Sequence, residues 1–381
     1  MDAAAPRLAM VAGEASGDLL AGLLLGGLKQ RWPALSTFGI GGPQMAARQF
    51  QAWWPHDKLA VRGYVEVLRH YREISSIRNQ LAERLLREPP DAFIGVDAPD
   101  FNLGLESRLK SHGIKAIHFV SPSIWAWRGK RIATIRKAVD HVLCVFPFEP
   151  AIYERHGIAA TYVGHPLADA IPLEVPRAES RSALGLAADE PVVALLPGSR
   201  RSEIQYIAPR LLAAATEMQR RRPELRFVLP VSPGLQAMVL PLVARYAPSA
   251  RIELLNGRSH EALAACDVTL VASGTAALEA ALFKRPMVIT YDMHWLSWMM
   301  MERMRYQPWV GLPNILLGDF VVPELLQDQA TPDALAQATL EWLDNPERCA
   351  AVGQRFETLH RELRRNTAMA ATNAIEKILA S

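Results

Sequence analysis

Residues 267–282 read DVTLVASGTAALEAAL, and residues 92–109 read AFIGVDAPDFNLGLESRL. Both contain a short apolar run, then a loop built from Gly, Pro, Asp or Ser, then a longer stretch with apolar residues at helical spacing. Strand, loop and helix in that order form the repeating piece of a parallel α/β sheet, because parallel neighbours need a crossover long enough to hold a helix.

Outward from these two segments the same unit recurs. In the first half, strands are expected at Leu8 to Ala12, Ala92 to Val96, Lys115 to Val120, His141 to Cys144 and Thr161 to Val163. The second half restarts the rhythm with PVVALLPGSR, LRFVLPVSPG, RIELL, DVTLVASGT and RPMVITYD. Between them IPLEVPRAESR, from Ile171 to Arg181, has two prolines and no clear period, as expected of a linker. The fold class read from this is α/β, with two Rossmann-like doubly wound domains facing across a cleft. The expected divisions are 1–172, 173–345 and a helical tail, 346–381, that crosses back to the first domain. Open α/β sheets place ligands at the carboxyl ends of their strands, so the loops there are the candidate site.

The composition suits large cores: the 381 residues are 50% hydrophobic and 21% charged, with a formal net charge of +3. That mild excess favours anionic ligands or an anionic membrane surface, and with few basic residues and no recognised binding motif it argues against nucleic acid. Cys144, Cys266 and Cys349 are far apart and form no CxxC pair, which argues against a disulfide framework or a zinc site and fits a reducing cytoplasm. The start, MDAAAPRLAMVAGEASGD, has too short an apolar run and too early an acidic residue for a signal peptide, and no stretch is long and apolar enough to span a membrane.

Four loops carry candidate chemistry. Gly13 to Asp18 follows the first strand, but it lacks a phosphate-loop pattern, and Glu14 and Asp18 would repel phosphate. Glu14, Ser16 and Asp18 are therefore read as ligands of acceptor-sugar hydroxyls, with an ordinary capped turn as the alternative. Gly39-Ile40-Gly41-Gly42-Pro43 is read as a second such loop after a strand. Asp97 and Asp100, in DAPD, end a strand at the cleft, where a carboxylate can act as general base; Asp97 is the first choice. Helix capping is the alternative for both, and the DxxD spacing argues against a metal site. Ser121 to Lys137 combines Trp125, Trp127, Arg128, Lys130, Arg131 and Arg136. Its tryptophans are candidates for stacking on sugar or for packing.

In the second half, LPGSRRSEI brings backbone amides, Ser199 and Arg200 to a helix start, where a diphosphate can be held. The segment ASGTAALEA repeats the geometry with Gly274 and Thr275, and Glu279, about one turn further on, is read as the acceptor for ribose hydroxyls.

Taken in order, VAGEASGD, GIGGPQM, GVDAPDFNL, FVSPSIWAWR, LLPGSRRSEI, VASGTAALEAAL, VGLPNILL and VPELLQ resemble the lipid-A-disaccharide synthase family over nearly the whole chain. That family, glycosyltransferase family 19, consists of inverting, UDP-dependent transferases of GT-B architecture. The resemblance implies transfer from UDP-2,3-diacylglucosamine to 2,3-diacylglucosamine 1-phosphate, giving a β-1,6-linked disaccharide phosphate and UDP, with no cofactor and no metal. It implies Asp97 as the base for the acceptor 6-hydroxyl, Arg200, Thr275 and Glu279 at the UDP site, and Asn314 in the cleft.

Acylated substrates imply peripheral contact with the inner membrane of a Gram-negative-type bacterium. Two segments are candidates. Residues 61–87 place Val67, Leu68, Tyr71, Ile74, Ile77 and Leu81 at helical spacing among six arginines and three glutamates, with an ordinary surface helix packed on the sheet as the alternative. His294 to Met301, HWLSWMMM, is the other, with a Met-rich core helix or a homodimer surface as its alternative. Two rival functions remain. One is another GT-B activity, such as a peptidoglycan-precursor transferase or an epimerase acting on UDP-N-acetylglucosamine. The other is a nucleotide-sugar-binding protein without turnover, which would have no use for Asp97.

Overall fold

The computed structural model describes residues 5–13, 15–55, 58–59, 64–126, 129–304 and 306–380. The chain divides into two compact units, Met1–Ala170 together with Leu363–Ser381, and Ile171–Glu362.

Unit 1 is built on seven parallel strands: β1 (Arg7–Ala12), β2 (Ser36–Gly41), β3 (Gln51–Pro55), β4 (Ala92–Val96), β5 (Lys115–Phe119), β6 (His141–Cys144) and β7 (Ala160–Tyr162). Their order across the sheet is β3-β2-β1-β4-β5-β6-β7. Unit 2 holds β8 (Val192–Leu196), β9 (Arg226–Val231), β10 (Ile252–Asn256), β11 (Val268–Ala272), β12 (Met287–Tyr291) and β13 (Glu324–Leu326), in the order β10-β9-β8-β11-β12-β13. Every pairing is parallel, so the expectation of two doubly wound α/β sheets holds.

The sheets are covered because their central strands are apolar on both faces. β4, β8 and β11 are buried along their whole lengths, as parallel strands between helical layers must be. In unit 1 Ile77, Leu81, Ala82 and Leu85 of the helix Tyr64–Arg87 pack with Phe93, Phe101, Leu105 and Leu109. In unit 2 Trp342 is 1% exposed and its Nε1 donates to Met287 O at 3.0 Å, which ties the helix Pro332–Leu343 to β12.

Five expectations need correction. Gly39 and Gly41 lie inside β2 rather than in a loop after it. Gly39 has φ +136° and a Cβ there would lie 2.2 Å from Met10 O, so its absent side chain lets β2 approach β1. The apparent linker is shorter than its composition suggests. Arg177–Ala183 is helical, and Arg181, 2% exposed, donates to the carbonyls of Ala265, Ala187, Ala188 and Glu190.

Nor is the tail one element. The helix Pro346–Leu363 falls almost wholly in unit 2, whereas Thr367–Ala380 is part of unit 1, where Asp169 caps it through Asn366 N and Thr367 N. A Cβ on Gly27 would lie 2.7 Å from Ala368 O, so the final helix presses directly on the helix Ala15–Arg31. Two short edge strands, β3 and β13, escaped the sequence reading. Finally, Ile77 and Leu81 of the amphipathic helix belong to the core, not to a membrane-facing stripe. The side chains of Val67, Leu68 and Tyr71 lie outside the described residues.

Leu81 is fully buried. Leu81→Ala is expected to cost about 2–5 kcal/mol of stability, read as a lower urea midpoint for unit 1. An unchanged midpoint would return Leu81 to the surface.

Candidate active site

In unit 1, β1 and β4 are hydrogen-bonded neighbours although β2 and β3 lie between them in sequence. The chain winds away from this pair in opposite directions, and such a strand-order reversal is where open α/β sheets place their ligands. The first loop begins at Gly13 and the second at Asp97. A Cβ on Gly13 would be 2.9 Å from the Ala98 Cβ, so the two loops touch.

Asp97 and Ala98 both take left-handed backbone angles, φ +51° and +43°. For residues with a Cβ each such conformation costs about 1–2 kcal/mol, so surrounding contacts must hold it. They do so through the main chain: Asp97 N donates to Phe119 O at 2.9 Å, and Asn102 Nδ2 donates to Asp97 O at 2.8 Å. The residue at the N-cap of the helix Pro99–Lys110 is Ala98, whose side chain makes no capping bond. Asp97 is half-buried, whereas Asp100 is exposed and ion-paired with Arg131.

Of the residues expected to meet an acceptor, Ser16 is half-buried and Glu14 lies outside the described residues. Asp18 is a correction. It is 2% exposed, and its carboxylate accepts from Gly42 N, Gln44 N and Met45 N at 2.8, 2.8 and 3.1 Å. These bonds start the helical turn Pro43–Ala46 and leave no room for a ligand hydroxyl.

Trp125 is also a packing residue rather than a sugar platform. Its Nε1 donates to Glu149 Oε1 at 3.0 Å, and its ring meets Phe146 and Phe148 edge-on. Trp127 and Arg128 lie outside the described residues. Glu149 also accepts from Val145 N and Phe146 N, and burial pushes its carboxyl up to about 7 against those donors. His165 stacks on Phe146, and burial pushes its imidazole down to about 4.

Unit 2 repeats the arrangement, with the reversal between β8 and β11. After β8, Gly198 has φ +109°, and a Cβ there would meet Glu203 Oε2 at 2.3 Å. Glu203 Oε2 accepts from Ser199 N and Arg200 N at 2.9 and 3.2 Å, while Oε1 accepts from the Arg200 guanidinium at 2.6 Å. The two amides expected to be open to a diphosphate are therefore taken by Glu203. What the loop presents is the Ser199 hydroxyl, which is exposed, and a guanidinium held in one orientation.

After β11, Gly274 has φ +151° and precedes the helix Thr275–Leu282, with Gly274 and Thr275 both exposed. One turn on, Glu279 Oε1 lies 3.1 Å from His260 Nε2. Ser273 Oγ donates to Val310 O at 3.0 Å and so holds the loop that carries Asn314.

The expectation that Asn314 points at a ligand is corrected as well. The residue is fully buried; its Nδ2 donates to Val322 O and Glu324 Oε1, and its Oδ1 accepts from Val321 N and Val322 N. Asn314 shapes the loop from within, together with Glu324, which accepts from Val310 N and Gly311 N.

The sequence reading missed Glu203, His260, Glu324 and Asn102. Glu203 had a local signal, an acidic residue three positions after a helix start. His260 had none, because it reaches Glu279 from another helix. Among the described residues no group of three or more His, Cys, Asp or Glu side chains is placed to hold a metal ion.

Two doubly wound parallel sheets with polar loops at each strand-order reversal define an α/β protein of two Rossmann-like units. Solved structures share this fold. They include a UDP-GlcNAc 2-epimerase from Neisseria meningitidis bound to UDP-GlcNAc (TM-score 0.66, 11% identity, covering 98% of this chain and 100% of that one). The glycotransferase of kitacinnamycin is another (TM-score 0.64, 17% identity, 98% and 99%). The sequence narrows the class: the profile described as Lipid-A-disaccharide synthetase matches residues 8–379. The lipid-A-disaccharide synthase of Albidiferax ferrireducens is 60% identical over 98% of this chain and 97% of its own length. That of Burkholderia mallei is 56% identical over the same shares. The chain belongs to the lipid-A-disaccharide synthase family and is a glycosyltransferase.

Glu149 and His165 make opposed contributions to stability. Glu149 keeps a proton in the native state up to about 7 that the unfolded chain releases near 4.5, so its contribution is full below 4.5 and lost as pH rises through 7. His165 refuses until about 4 a proton that the unfolded chain accepts near 6.5, so its contribution is full above 6.5 and lost as pH falls through 4. Glu149→Gln is expected to leave a stability that rises with pH across the acidic range, and His165→Gln one that falls. Urea unfolding at a series of pH values reads both slopes; a variant that keeps the parent's slope would contradict the assignment.

Proposed function

We propose that this glycosyltransferase transfers the sugar of UDP-2,3-diacylglucosamine to the 6-hydroxyl of 2,3-diacylglucosamine 1-phosphate. The observation that carries the reading is Asp97, a carboxylate held on a strained turn at the strand-order reversal of unit 1. Asp97 removes the proton of the acceptor hydroxyl as its oxygen bonds to C1 of the donor sugar. The C1–O bond to the β-phosphate breaks on the opposite face, and its electron pair leaves with UDP. One displacement inverts C1 and gives the β-1,6 linkage.

Unit 2 is assigned the donor. The Arg200 guanidinium, fixed by Glu203, and the Ser199 hydroxyl face the diphosphate, where a charge-assisted bond contributes about 1.5–3 kcal/mol. The amides at Gly274 and Thr275 add donors at a helix start. Glu279 accepts the ribose hydroxyls, oriented by His260. Ser16 and Glu14 remain the assigned acceptor contacts.

Both substrates carry acyl chains, so the enzyme is assigned to the cytoplasmic face of the inner membrane as a peripheral protein. No described helix is long and apolar enough to cross a membrane. Supporting surface contact, Trp295 is 64% and Met299 37% exposed on the helix Trp295–Met304, and the chain carries a formal net charge of +3.

Purified protein given both lipids in detergent is expected to release UDP and form a tetraacyl disaccharide phosphate, with neither product when the acceptor is omitted. UDP release or epimerisation without acceptor would overturn the reading. Asp97→Asn is expected to lower kcat by about 10²–10⁴-fold with UDP affinity unchanged. Arg200→Ala is expected to weaken UDP binding by about 10–100-fold, measured by calorimetry; an unchanged Kd would remove Arg200 from the donor site.

A further inference from the structure

Beneath Asp97 lie three polar side chains that the mechanism does not use. Asn102, Glu106 and His118 are all fully buried. They meet over one residue, Gly95 of β4, which pairs in register with His118 of β5. His118 Nδ1 is 2.7 Å from Glu106 Oε1. A Cβ on Gly95 would lie 2.1 Å from Glu106 Oε1 and 3.0 Å from Asn102 Cβ and Cγ. Asn102 and Glu106, four residues apart and on one face of the helix Pro99–Lys110, thus share the space that a side chain at position 95 would fill. From there Asn102 Nδ2 reaches Asp97 O at 2.8 Å, with Val96 O and Val11 O each at 3.4 Å.

Stability does not account for this cluster. Asn102 Oδ1, Glu106 Oε2 and His118 Nε2 have no hydrogen-bond partner among the described residues. A partly satisfied buried polar group is less favourable than an apolar filling of the same shape. Of the three carbonyls that Asn102 reaches, the shortest bond goes to that of Asp97, the first of two consecutive left-handed residues. That bond holds the left-handed backbone from which the Asp97 side chain projects.

We propose that Asn102 is a positioning residue for Asp97. Its amide, packed beside the Glu106–His118 pair over Gly95, locks the left-handed turn from which the carboxylate reaches the acceptor hydroxyl. The proposal rests on Asp97 being the base.

The test is steady-state kinetics of UDP release with both lipids in detergent, on Asn102→Asp, Asn102→Ser, Glu106→Ala, Glu106→Gln, Asp97→Asn and the double variant Asp97→Asn/Asn102→Asp. Asn102→Asp keeps the size and removes the donor. It is expected to lower kcat about 30-fold or more, because an ångström-scale displacement of a reacting group costs on the order of 10²-fold. Lipid KM values and UDP affinity are expected to stay within about twofold, the mark of a defect confined to the reacting step. Glu106→Ala is expected to show the same split. Glu106→Gln, which keeps a hydrogen bond to His118, restores most of the rate.

In the Asp97→Asn background, Asn102→Asp is expected to cost nothing further. A wild-type kcat for Asn102→Asp, or an equal loss with and without Asp97, overturns the proposal. So does a loss that merely follows the unfolded fraction seen by circular dichroism. Should Asn102→Asp fail to fold, Asn102→Ser, too short to reach the Asp97 carbonyl, carries the same comparisons. Near-wild-type turnover by Asp97→Asn would instead overturn the base itself. An inactive Asp97→Asn beside a fully active Asn102→Asp would overturn positioning alone.

Discussion

The pairing of β1 with β4, and of β8 with β11, is the constraint on which the rest depends. Parallel strands require a crossover between them, and a right-handed crossover puts the intervening helix on one face of the sheet. When the chain then returns to the far side of its first strand, the next helices go to the other face, and the loops at that junction part. Each unit has one such junction among its described strands, and the strongest candidate chemistry of the chain lies on it. Asp97 follows β4, Arg200 follows β8, and Thr275 follows β11. The placement of these residues is a consequence of strand order, before any side chain is considered.

Loops left apart at a sheet edge need something to hold their amides, and this protein uses carboxylates repeatedly. Asp18, Asp169, Glu203 and Glu324 each accept from two or three backbone N–H groups. A carboxylate is suited to this because its two oxygens offer about four lone-pair directions and its charge strengthens each bond. At Asp97 the main chain itself is gripped, through Phe119 O and Asn102 Nδ2.

That distinction explains which parts of the site the sequence reveals. Strand, loop and helix order is written in apolar periodicity, so the sheets and their loops were legible, while β3 and β13 were too short or too exposed to show a period. An acidic residue beside a glycine-rich turn has one spelling and two uses. Asp18 and Asp97 look alike in the sequence, yet the first is consumed by three amides of a turn 24 to 27 residues away. Asn314 misled for the same reason, because its partners, Val321, Val322 and Glu324, lie seven to ten residues further on. Trp125 was open between stacking and packing, and the buried Glu149, 24 residues on, decides for packing. Local patterns define loops; contacts distant in sequence decide which polar groups remain for a ligand.

The last helix adds a consequence for synthesis. Thr367–Ala380 packs on the helix Ala15–Arg31, yet it is made only after all of unit 2. A ribosome adds about 5–20 residues per second, and domains generally fold as they emerge. The nascent first unit therefore spends on the order of ten seconds or more with that groove uncovered, including Leu24, which ends 1% exposed beside Thr367 and Ala368. Vectorial synthesis exposes an apolar seam here for most of the chain's manufacture, and the enzyme's burden on chaperones is set by how late its own closing segment arrives.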